Sequence, residues 1–446
     1  MKRKIVLLAT SMLTLGALTG CGKGDGKTHV QFWHTMGQAN QTMLERMIAS
    51  FEEANPDIVI DAFSQGGYDD IAGKIRDAIP AGTTPTLSFC YPDNVASYIE
   101  AGAVEELTPY VDNEEYGLTA AEKADYNADY WAEGTNYQTK GVFSVPYAKS
   151  TEVLFYNATV FESYGWQVPT TWDEMWSLCE TIKSTVGSSI KYPLGYDSDS
   201  NLFITRCIQE GIPYTTKDAA KEERYLFNND KAKAMVQGLK DKFGALVNKT
   251  PAGLFITKGT QPNSTYTSTA FTNQEILMSI GSTGGTSYNK SLNFDIGVAP
   301  IPKGTLNGKV VSQGPSICIF SRASSAEKVA AWKFYKHITS PENTATFAIN
   351  TGYEPVRNSA RETDQFKDYL SRAGANYVTK RGGDLLATAA ALTRDKYAGN
   401  YFSSDVFPGS DTARDEVGGI LSNVFLESKS IEKAFNDALT NCLYVG

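Results

Sequence analysis

The side chains best placed for chemistry fall in a few short stretches. Phe32 to Gly37 reads FWHTMG and puts Trp33 and His34 at the end of a strand-like run, in a chain with only three histidines. A histidine beside an indole fits three roles: a ligand contact, a metal ligand, or packing. The metal role lacks companions, because His29 and His337 offer no ligand spacing. Gly66-Gly67-Tyr68 and Tyr91-Pro92-Asp93-Asn94 also follow strand-like runs. Asp93 suits the N-terminal cap of the helix after it. GSTGG, Gly281 to Gly285, lacks the Lys-Ser/Thr of a phosphate-binding P-loop. DSDSN, Asp197 to Asn201, starts like a calcium loop, but Leu202 stands where glycine is required and Ile208 where the last carboxylate belongs. No carboxylate pair stands out as an acid/base couple. The missing catalytic constellation favours binding over turnover.

The elements around these stretches explain their placement. HVQFW reads as a strand; Leu44, Met47, Ile48 and Phe51 fall at helical spacing, and Ala54-Asn55-Pro56 ends that helix. IVIDAF is a second strand, Ile71, Ile75 and Ile79 mark a second helix, and TLSFCY is a third strand. Strand–helix–strand–helix–strand predicts a parallel sheet with helices on its faces. Ligands of such sheets sit beyond the carboxyl ends of the strands, where Trp33–Gly37, Gly66–Tyr68 and Tyr91–Asn94 fall. Further on, GVFSVPY and STEVLFYN read as two adjacent strands, and Thr171 with Glu174 forms a capping box. The pattern over about 175–280 is mostly helical. FDIGVAPIP and KVVSQGPSICIF flank Asn307-Gly308, a strong hairpin signal.

The first residues predict a compartment. Lys2, Arg3 and Lys4 precede an apolar run, Ile5 to Leu18, that is too short to span a bilayer comfortably. It ends in Leu18-Thr19-Gly20-Cys21, which resembles a bacterial lipobox; a plain secretory signal is the alternative. Acyl chains on Cys21 would hold the protein at a membrane surface through the tether Gly22–Lys27. The expected layout is therefore a signal peptide over 1–20 and a lipidated cysteine with tether over 21–27. The net charge is −9, and removing the three signal cations makes the remainder more acidic, which argues against a nucleic-acid partner. Cys90, Cys179, Cys207, Cys318 and Cys442 form no CxxC pair, so packing as small apolar side chains is their default.

In order and spacing, these pieces resemble the extracellular solute-binding proteins of ABC importers, in the large carbohydrate-type family. The matching stretches are Cys21, FWHTMG, FEEANPDIVI, the YDD at 68–70, PYAKSTEVLFYN, PTTWDEM, GVAPIPKG, HITSPENTATFAINTGYEPV and the helical tail. FWHTMG, STEVLFYN and GYEPV are particularly similar to the glycerol-3-phosphate-binding branch. The resemblance implies a two-lobe, type II periplasmic-binding-protein-like α/β fold, each lobe a mixed sheet flanked by helices, joined by a hinge. The N-terminal lobe is expected over 28–143 and 298–346, and the C-terminal lobe over 147–293 and 353–446. It implies a ligand cleft lined by Trp33, His34, Tyr68, Asp93, Ser150, Ser282, Tyr353 and Arg414. In that reading free backbone N–H groups after Ser282 cradle an anion or hydroxyl, and the Arg414 fork takes a phosphate or a sugar hydroxyl. The branch has a glutamate after its third strand where this chain has Tyr91-Pro92-Asp93, and a tryptophan pair where it has Ser200 and Phe203. The expected function is capture of a sugar, oligosaccharide or glycerol phosphoester and its delivery to importer membrane subunits. The expectation includes a monomer on the outer face of the cytoplasmic membrane, no cofactor, no metal and no catalysis. A secreted carbohydrate-active enzyme or a lectin-like surface protein is the alternative.

Overall fold

Strand β1 (Thr28–His34) alternates buried Val30, Phe32 and His34 with more exposed Gln31 and Trp33, the period of a sheet with unequal faces. The computed structural model describes residues 25–445 except 188–189, 249, 375–377 and 380–383. The signal segment and Cys21 lie outside the described residues. Helix α1 (Gln38–Ala54) follows, then β2 (Ile58–Ser64), α2 (Tyr68–Ala81), β3 (Leu87–Cys90) and α3 (Pro92–Glu100). Strand β1 pairs in parallel with both β2 and β3. Phe32, Phe51, Phe89 and Phe334 pack ring to ring beneath this sheet. Burying each contributes about 1.5–3 kcal/mol relative to leaving it in water.

The strand pair expected over Gly141–Asn157 does not form. Strand β4 (Val145–Pro146) joins the first sheet beside Ser316–Ile319, giving the order β2-β1-β3-(Ser316–Ile319)-β4. Strand β5 (Glu152–Asn157) instead enters a second sheet between Ile296–Pro300 and Ile276–Ser282. The second sheet is completed by Tyr192–Tyr196, Phe255–Thr257 and Val378–Thr379, and its pairings mix parallel and antiparallel. Each sheet has its own core, the larger one around β5.

The expected hairpin at Asn307-Gly308 is also replaced by longer-range pairing. Ile296–Pro300 pairs with β5, and Val310–Val311 pairs with Tyr401–Phe402. The chain therefore stays with the second sheet through Val311 and rejoins the first at Ser316. The boundary drawn at residue 298 is too early, because strand Ile296–Pro300 spends its hydrogen bonds on β5.

Three crossing segments lie side by side between the two sheets. Ser150 bridges Gln313, and Lys149 bridges Glu354. Gly314 sits here with φ +100°, and a Cβ on it would fall 2.1 Å from the Ala148 carbonyl oxygen, so the first two segments can approach this closely only around a glycine. The five described cysteines are buried free thiols. No helix among the described residues is long and apolar enough to cross a membrane.

Candidate ligand cleft between the two sheets

A cavity lined from both lobes opens beside the crossings. It holds about 570 Å³ of atom-free space, open solvent at its mouth included. From the first lobe come Tyr91, Pro92 and Asp93, at the end of β3. The second contributes Tyr214, Ser403–Val406, Ser410 and Arg414, and the crossing supplies Val311–Gly314.

The floor is a set of buried polar groups that satisfy one another. Lys149 is fully buried and gives its three ammonium protons to Glu133 Oε2 at 2.6 Å, Ser316 Oγ at 3.0 Å and the Gly314 carbonyl at 3.2 Å. Ser312 Oγ donates to the other Glu133 oxygen at 2.5 Å. Beside it, Asn201 forms a junction. Its Nδ2 donates to Glu152 Oε1 and to Gln313 Oε1, each at 2.8 Å, and its Oδ1 accepts from Arg414. Tyr196 donates to the second Glu152 oxygen at 2.6 Å. Burial pushes the Glu152 carboxyl up to about 7, against the opposing pull of Tyr196, Asn201 and Arg414.

The walls are aromatic and acidic. Tyr68, the first residue of α2, meets Tyr91 edge to face at 4.7 Å, and its hydroxyl lies 3.2 Å from that of Tyr353. Burial pushes both phenols well above their ordinary range, so they stay neutral donors. Asp93 is raised to about 6, first by burial, with Arg414 opposing and Asp411 adding. Asp415 is likewise raised to about 6 by burial and by Asp69, Asp93 and Asp411. Asp411 touches the other lobe: Asn94 Nδ2 donates to it at 3.3 Å, and Arg76 lies 3.7 Å away.

The residues nominated from the sequence divide into groups. Asp93 and Arg414 both line the cavity. Tyr68, Tyr353 and the turn after Ser282 lie together beside Tyr91, the Tyr353 ring packing against Gly284, but none of the three lines the cavity. The Ser282 hydroxyl caps the turn after it, accepting from Gly284 N–H at 3.2 Å, so that N–H is already taken. Ser150 sits in the crossing ladder, its backbone N–H and carbonyl both bound to Gln313. His34 lies under the sheet against Phe32 and Phe89, its Nδ1 accepting from Met36 N–H, and burial lowers it to about 4. Trp33, on the opposite face of β1, packs half-buried on the first core. Neither lines the cavity.

Glu133, Lys149, Glu152, Asn201, Tyr214 and Gln313 were missed. Tyr91 stood beside the chosen Asp93, and its place at the end of β3 was signal enough to name it. The DSDSN stretch held another clue. Asp197 and Asp199 spend their oxygens on Thr267, Thr257 and Gly259 rather than on a cation, and Asn201 turns into the cleft floor.

Against this geometry, the comparisons with known proteins agree on a class. Residues 46–373 match the family described as bacterial extracellular solute-binding protein, and the chain belongs to it. It is thus a solute-binding protein rather than an enzyme. Among curated relatives it is 23% identical over 382 residues to the sn-glycerol-3-phosphate-binding periplasmic protein UgpB of Salmonella typhimurium, covering 82% of this chain and 83% of that one. It is 25% identical over 367 residues to the maltotriose-binding protein of Pyrococcus abyssi, covering 78% and 70%. Among solved structures it is similar to UgpB of Mycobacterium tuberculosis in complex with glycerophosphocholine, with TM-score 0.73, 20% identity, and 94% and 98% of the two chains covered. It is also similar to the substrate-binding protein Lmo0181 of Listeria monocytogenes in complex with cycloalternan, with TM-score 0.74, 17% identity, and 93% and 98% covered. The shared fold is the two-lobe arrangement of helix-flanked mixed sheets.

Proposed function

We propose that this protein captures a sugar-type or glycerol-phosphoester-type solute between its lobes and hands it to the membrane subunits of an ABC importer. The lobes correspond to the two sheets, joined by the three crossings. One observation carries the reading: Tyr91 and Asp93 from the first lobe and Tyr214 and Arg414 from the second line a single cavity. A solute there touches both lobes at once, and lobe closure converts binding into a shape that importer subunits can read. The neutral phenols and the Gln313 and Ser403 side chains suit hydroxyl groups. The relatives bind solutes of both kinds, by their names. Lipidation at Cys21 would keep the receptor on the outer face of the cytoplasmic membrane and raise its concentration near the importer.

Two measurements test this. Titration calorimetry of the purified protein against neutral mono- to trisaccharides and glycerol phosphoesters is expected to find at least one binder that also raises the melting temperature. A full panel without heat or shift contradicts the reading. Cys21→Ser is expected to release the protein from the membrane fraction of its host; retention there contradicts the anchor.

A further inference from the structure

Three kinds of group near the cleft could hold an anion: the Arg414 fork and the N–H groups after Ser282, which the family resemblance nominates, and the nearby helix N-termini. Each is at least partly committed within the protein: Arg414 spends one of its five guanidinium N–H groups, and the turn after Ser282 spends its Gly284 N–H. Arg414 donates to Asn201 Oδ1, and that amide is fixed by its own bonds to Glu152 and Gln313. Gly284 N–H is bound to Ser282 Oγ. The three helix starts carry their own carboxylates. Asp70 accepts from Gly67 N–H at 2.8 Å at the start of α2, Asp93 stands in the first turn of α3, and Asp411 stands in the first turn of the Ser410–Phe425 helix. A carboxylate there takes the favourable field that a bound phosphate would otherwise use.

The charge count points the same way. Asp93 and Asp405 line the cavity with Arg414, and Asp69, Asp411 and Asp415 stand close to Asp93, with Arg76 beside Asp411. Lys149 is paired with Glu133 below the floor, and neither Lys217, held by Asn136, nor Lys258, 4.1 Å over the Tyr266 ring, lines the cavity. An incoming phosphomonoester meets more carboxylates than cations at this cavity, and the cation that lines it, Arg414, is shared with Asn201.

From these observations, and resting on the reading of the cavity as the solute site, we infer that the cleft selects an uncharged polyhydroxylated solute and that Asp93, Asp411 and Asp415 reject organophosphate anions. The aspartates are specificity-determining residues: they act on what is excluded, while the tyrosines and amides receive the solute.

Titration of the whole protein with glycerol 3-phosphate, and separately with inorganic phosphate, tests this. The wild type is expected to bind both more weakly than about 1 mM, and Asp93→Asn/Asp415→Asn to tighten glycerol 3-phosphate at least about tenfold. Micromolar binding by the wild type overturns the inference; so does a folded double variant that gains nothing. If the variant fails to fold, salt dependence in the wild type decides. Repulsion is screened by salt, so residual glycerol 3-phosphate binding should hold or strengthen between about 10 mM and about 0.5 M NaCl, whereas at an anion site it weakens. A marked weakening overturns the inference. Failure of every neutral saccharide to bind bears instead on the proposed function and leaves these outcomes readable.

Discussion

At the floor of the cleft Lys149 gives every ammonium proton to a protein acceptor, whereas beside Tyr353 at the rim Tyr288 leaves 73% of its surface exposed and Tyr266 leaves 56%. The two regions use polar chemistry differently. Floor groups are bound to one another and have little left for a solute. Rim and wall groups are aromatic and acidic, and several remain open to solvent. The difference teaches which residues should answer to stability and which to binding. The floor ties the three crossings together, so it sets where the lobes stand; the walls meet what comes between them.

The sharpest way to break this comparison is to unpair the buried ion pair. Lys149→Met leaves buried Glu133 without its cation, with only Ser312 still donating to it, and Ser316 and Gly314 also lose a donor. The expected cost is about 3–5 kcal/mol in urea unfolding. A loss under about 1 kcal/mol would mean that the floor is not the rivet described here. Next in size, Asn201→Leu removes partners from Glu152, Gln313 and Arg414 at once. We expect about 2–3 kcal/mol of lost stability, together with weaker solute binding because Arg414 and Gln313 lose their fixed positions. Stability loss with unchanged affinity would detach the floor from recognition.

A smaller effect concerns pH. Asp93 and Asp415 are raised to about 6 in the folded protein from an ordinary 3.8. The folded state therefore holds protons that the unfolded state has released. Their contribution is fully present below about pH 4 and is lost as pH rises through about 6. Relative to wild type, Asp93→Asn/Asp415→Asn should show a flatter decline in melting temperature between those values. Parallel curves would place these carboxyls in an ordinary solvent environment.

Much of the first lobe was legible, because its strands and helices announce themselves locally. Leu44, Met47, Ile48 and Phe51 bury one face of α1, and Ile71 and Ile75 one face of α2, as their spacing requires. The Thr171–Glu174 capping box forms as read. What failed was set by distant partners. Nothing in PYAKSTEV punctuates the crossing, since both flanking runs are apolar and extended; only pairing with Ser316–Ile319 on one side and Ile276–Ser282 on the other separates them. Asn307-Gly308 has the residues of a hairpin turn, yet its flanks find better partners in β5 and Tyr401–Phe402. The cleft was half legible for the same reason. Asp93 follows from a strand end and Arg414 from family resemblance, and both line the cavity, whereas Tyr68 and Tyr353 stand behind Tyr91. Asn201 draws its role from Glu152, Gln313 and Arg414, none of which is near it in sequence. His34 looked chemical because histidines are rare here, but the alternation of β1 turns it toward Phe32 and Phe89.

The central claim is that one solute is held from both lobes across this cavity. Titration calorimetry of Tyr91→Ala and Tyr214→Ala, using the tightest-binding saccharide and checking each variant for native melting behaviour, tests it directly. The account predicts that each substitution weakens binding at least about tenfold, roughly 1.4 kcal/mol, although the two tyrosines belong to different lobes. Unchanged affinity in either folded variant would contradict it, because the solute would then be held by one lobe or somewhere else.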